Sequence, residues 1–60
     1  MVYDNIKAVC DKKGMSIKAL ERKAELGNGT ICKWRTVSPT VDNLKAVAKA
    51  LDVKVSKLID

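Results

Sequence analysis

Sixty residues make one domain at most, and a chain this short buries only about 60% of the surface its unfolded form exposes, so its core is thin. Apolar residues make up 47% of it, too many for a disordered tail, and no apolar run approaches the roughly 20 residues that cross a bilayer. With two cysteines and no histidine the chain cannot supply the four nitrogen or sulfur ligands of a structural zinc site, and its net charge of +5 fits equally a polyanionic partner and a solvated face that keeps a small protein soluble.

The apolar residues fall at helical rather than alternating spacing, which predicts an all-α fold of five short helices in one domain spanning 1–60. The first helix is expected from Val2 to Lys13, with Tyr3, Ile6, Val9 and Cys10 on one face. Lys12 and Lys13 stand at the negative end of its dipole and Gly14 ends it. Ser16 is placed to cap a second helix through about Lys23 that buries Leu20 and Ala24. A third helix is expected from Gly27 or Asn28 to Trp34 or Arg35, with Ile31 and Trp34 inward, followed by a loop through Thr36, Val37, Ser38 and Pro39. Thr40 is placed to cap a fourth helix whose stripe is Val41, Leu44, Val47, Ala48 and Leu51. Val53, Val55, Leu58 and Ile59 predict a last short helix that closes the core.

The placement of charge says more than its size. Residues 12–35 hold Lys12, Lys13, Lys18, Arg22, Lys23, Lys33 and Arg35 against Glu21 and Glu25, and the rest of the chain sums to zero, so the whole excess of +5 lies on this segment. A polyanion selects such a concentration, because every phosphate neutralised releases condensed counterions. The few residues between the second and third helices, about Glu25 to Gly27, are too short a link for a long hairpin. The two helices must therefore cross steeply, leaving the amino end of the third free to enter a major groove.

Gly14-Met15-Ser16, Leu20, Ala24, the run Thr30-Ile31-Cys32-Lys33-Trp34, Pro39, and Leu44 with Ala48-Lys49-Ala50-Leu51 together resemble the Cro/cI-type helix-turn-helix family of phage repressors, the XRE-like regulators. The resemblance covers about Tyr3 to Ile59, with the helix-turn-helix at about 16–35. It implies a lambda-repressor-like bundle that binds double-stranded DNA, a repressor of phage or bacterial type, and a homodimer on a palindromic operator. It also implies a cytoplasmic, bacterial, nucleoid-associated protein with no small-molecule cofactor and no membrane partner. The sequence departs from the family in three places. Ile17 stands where Gln usually opens the second helix, Glu21 where Ala is usual, and Glu25 where Gly usually makes the turn. Either that turn is wider here, or Glu25 is held at positive φ.

The resemblance places the base contacts at the amino end of the third helix, and Asn28, Gly29, Thr30 and Lys33 are the candidates. Asn can bond adenine through N6 and N7, Lys can bond guanine O6 and N7, and Gly29 lets the backbone come close. Lys18 and Arg22 on the second helix, with Arg35, Thr36, Ser38 and Asn43 beyond the third, are the expected contacts to the DNA backbone. Cys32 reads as a serine-like spacer and Trp34 as core rather than a stacking platform. The other reading of the chain is a protein-interaction module on the same fold, such as an antitoxin or antirepressor adaptor, for which Ile17, Glu21 and Glu25 argue. Catalysis is not expected, since Cys32 has no partner base and no pair of carboxylates sits in apolar surroundings.

Overall fold

The computed structural model of the chain describes residues 2–59. Met1 and Asp60, the ends of the domain expected to span 1–60, lie outside the described residues. Among the described residues there are four α-helices, α1 (Val2–Lys13), α2 (Ile17–Lys23), α3 (Val41–Leu51) and α4 (Val55–Ile59), and one 3-10 helix, Cys32–Arg35. None of the helices is long and apolar enough to cross a membrane.

The caps form as local chemistry dictates. Ser16 accepts from the Ala19 N–H at 3.0 Å and Thr40 from the Asn43 N–H at 3.1 Å, each side-chain oxygen satisfying a donor that the first helical turn cannot. At the other ends, α1, α2 and α3 finish in the same six-residue closure. Met15, Leu26 and Val53 donate back to the carbonyls of Cys10, Glu21 and Ala48 at 2.9, 2.8 and 2.9 Å. The residue before each of the three is left-handed, with Gly14 at φ 68°, Glu25 at 59° and Asp52 at 58°. Of the two conformations open to the turn after α2, the chain takes the strained one: Glu25 occupies the glycine position.

The core joins Ile6, Val9 and Cys10 of α1, Leu20 of α2, Ile31 and Trp34 at the 3-10 helix, Leu44, Val47, Ala48, Ala50 and Leu51 of α3, and Leu58 of α4. Burial of each large aliphatic side chain contributes about 1.5–3 kcal/mol, and with so few of them each matters. Asn5 ties the two ends together, its amide donating to the Leu58 carbonyl at 2.8 Å. Tyr3, Ala24, Leu26, Val53 and Val55 are half-buried against the core.

Three expectations need correction. First, the third of the five expected helices is no α-helix. Residues 28–31 form turns and only Cys32–Arg35 is helical, in 3-10 form. Gly29 lies at φ 80°, and a right-handed helix cannot run through a left-handed residue, so the helix begins only beyond it. Second, Val41 is 65% exposed, because as the first residue of α3 it precedes the turn that packs, and Ala50 takes a buried place that the stripe had not included. Third, Ile59 is 55% exposed. In the five-residue α4 Leu58 is buried and Val55 packs half-buried against the core, and the position after Leu58 faces away.

Candidate nucleic-acid interface

The expected reading segment is held by a small number of backbone bonds. Thr30 donates to the Gly27 carbonyl at 3.1 Å, Lys33 to Gly29 at 3.3 Å and Trp34 to Ile31 at 3.0 Å, so Lys33 stands one turn beyond Gly29 as its spacing implied. Ile31 and Trp34 point into the core and thereby turn Asn28, Cys32 and Lys33 outward, where all three are exposed. Gly29 and Thr30 are half-buried.

The segment is anchored by a residue that the motif did not single out as functional. Glu21 is buried to 4% exposure on α2, and both of its carboxylate oxygens accept from the reading segment. Oε1 takes the Gly29 N–H at 3.2 Å and Oε2 the Ile31 N–H at 2.8 Å. Bonds from N–H groups to a carboxylate are among the stronger ones available to a protein, and among the described residues no buried side-chain polar atom is left without a partner. No local signal in the sequence marks this role, because Asn28 and Gly29 are themselves cap-friendly residues and Glu21 is separated from its partners by eight and ten residues.

Of the expected DNA-backbone contacts, Lys18 and Arg22 are exposed one turn apart on α2. With Asn28, Leu26 and Glu21 they line one groove of about 280 Å³, so the structure brings these two cations beside the start of the reading segment. Among the described residues Lys18, Arg22 and Lys33 form no ion pair, and Glu21, the carboxylate nearest to Lys18 and Arg22 in sequence, is engaged by backbone. Thr36 and Ser38 border a different depression of about 250 Å³ with Val2, Trp34, Val37 and Pro39. The Thr36 hydroxyl donates to the Lys33 carbonyl at 3.3 Å, which closes the 3-10 helix. Asn43 is half-buried and its N–H is taken by Thr40, leaving its side-chain amide for any outside contact. Arg35 is exposed with its guanidinium carbon 5.8 Å from the centroid of the Tyr3 ring, a cation–π contact that reaches back to α1 and that sequence spacing does not display.

The two thiols differ. Cys10 is buried, and burial pushes its thiol up from its ordinary range, whereas Cys32 is exposed, next in sequence to the exposed Lys33. The arrangement as a whole presents unpaired cations flanking a short outward-facing segment whose Gly29, Thr30 and Ile31 N–H groups are already bonded within the protein. That suits contact with a phosphate-lined groove. No curated protein and no solved structure matches the chain at a significant level. The family model for the Cro/C1-type HTH DNA-binding domain matches residues 5–60, and the chain belongs to this family of DNA-binding transcription regulators.

Proposed function

We propose that the protein is a sequence-specific repressor that recognises a palindromic operator in double-stranded DNA as a homodimer. The observation that carries this reading is the juxtaposition of Lys18 and Arg22 with Asn28 around one groove, with an outward Lys33 one turn beyond Gly29. In this reading Lys18, Arg22 and Arg35 hold the phosphates. Asn28, Thr30 and Lys33 meet base edges, and Gly29 permits close approach. Thr36, Ser38 and Asn43 line the path of the backbone beyond. Pairing of two copies is supported by size. The longest extent of the domain is 24 Å, short of the roughly 34 Å between half-sites one helical turn apart. The exposed Ile59 stands in the last segment, where a seam between copies is proposed.

Selection of bound duplexes from a random pool, repeated at two salt concentrations, tests the proposal. A two-fold symmetric consensus and a steep fall of affinity with salt are expected. Lys33→Ala should relax preference at one base position by about 1–3 kcal/mol, and Lys18→Ala should weaken all duplexes alike and reduce the salt slope by about one. Salt-insensitive capture of a protein, with no enriched duplex, would favour the interaction-module reading.

A further inference from the structure

We infer that Glu21 is the positioning residue of the reading segment: its buried carboxylate clips the Gly29 and Ile31 N–H groups and so sets which way Asn28, Thr30 and Lys33 face. The inference rests on the proposal that these side chains read bases, and it adds how a chain without a regular recognition helix can do so.

In an ordinary recognition helix the direction of every side chain follows from consecutive hydrogen bonds along the helix. Here residues 28–31 form turns rather than a helix, and the left-handed Gly29 at φ 80° interrupts the helical run of dihedrals. Glu21 supplies the missing constraint. It is fixed to the middle of α2, its oxygens lie 3.2 and 2.8 Å from the two N–H groups, and the burial of Ile31 beside the second bond excludes competing water. The same clip has a chemical consequence. Backbone N–H groups at the start of a reading helix commonly serve phosphate, but these two are already occupied by an anion of the protein itself. Discrimination must then come from side chains, and the carboxylate acts on DNA only through the segment it holds. Charge and position therefore make opposite predictions for the removal of Glu21. If its charge alone mattered, neutralising it would strengthen binding to every duplex. If its position matters, neutralising it weakens the selected duplex in particular.

Glu21→Gln keeps the shape but offers one acceptor oxygen, and its NH2 group confronts the second N–H. The variant and the parent are compared for affinity to the selected duplex and to a scrambled one at equal salt, with helicity and Trp34 fluorescence as checks of the fold. The ratio of the two affinities is expected to fall roughly tenfold or more, the scale of one lost charge-assisted bond, while scrambled-duplex affinity holds or rises. A parallel gain on both duplexes would overturn the inference. Amide hydrogen exchange in the free parent protein supplies a readout independent of DNA and of the variant's folding. The Gly29 and Ile31 amides should be protected while that of exposed Asn28 exchanges at loop rates, and free exchange of the first two would refute the clip. If the parent enriches no duplex, base reading itself is wrong, and the exchange pattern alone then judges the clip.

Discussion

Replacing Glu25 with glycine should stabilise this protein, although it removes a side chain. Glu25 closes α2 at φ 59°, where a residue with a Cβ is held at a cost of about 1–2 kcal/mol. A negative charge at the carboxyl end of a helix adds an unfavourable interaction of about 0.3 kcal/mol with the dipole. Against these gains, glycine gives the unfolded chain more freedom, worth about 0.4–1 kcal/mol in the other direction. The net expectation for Glu25→Gly is about 1 kcal/mol of added stability, or a rise in Tm of about 6–8 °C for a domain of this size. Thermal unfolding followed by far-ultraviolet circular dichroism measures it. Glu25→Ala separates the causes, since it removes the charge and leaves the left-handed backbone; it should gain only about 0.3 kcal/mol. If the glycine variant melts no higher than the alanine variant, backbone strain at this turn is not a real cost and the reasoning fails.

The same argument at Asp52 predicts a smaller rise in Tm for Asp52→Gly than for Glu25→Gly, because Asp tolerates the left-handed region better than Glu does. Ser16→Ala should lower stability by about 1 kcal/mol in urea titration through loss of the α2 cap, and no loss would mean the Ala19 N–H finds water instead. Trp34→Ala should cost about 3–5 kcal/mol, comparable to the whole stability of so small a domain, and a dispersed amide spectrum from that variant would contradict the burial of the indole. A thiol reagent should label Cys32 at once and Cys10 only as fast as the fold opens. Because burial raises the Cys10 thiol, the folded state keeps a proton that the unfolded state releases. Stability should therefore fall as pH rises from about 8.5 toward the folded value, and Cys10→Val should flatten that slope.

Much of the candidate site was legible before the fold was known. Lys18, Arg22, Asn28 and Lys33 stand exposed beside the turn between α2 and the reading segment because Leu20, Ile31 and Trp34, at recognisable helical spacing, claim the inside. The caps at Ser16 and Thr40 were equally readable, since each rests on an acceptor three residues from its donor. Helical periodicity also pointed to a third helix from about residue 27, which the structure replaces with turns and four residues of 3-10 helix. Apolar spacing records which side is buried. It does not record a left-handed glycine within the same stretch.

Two contacts shape the candidate surface, and both join residues distant in sequence. Glu21 meets Gly29 and Ile31 across the turn, and Arg35 meets Tyr3 across the bundle. A mid-helix glutamate reads as a solvated charge until the neighbouring segment folds over it, because whether a carboxylate faces water or an N–H depends on which backbone arrives beside it. Helix ends, the inward stripe and the sign of the surface are thus written in local spacing and composition. The aim of Asn28 and Lys33 belongs to the packed molecule, where burial makes a bond to Glu21 the best available partner for two amides that would otherwise turn to solvent.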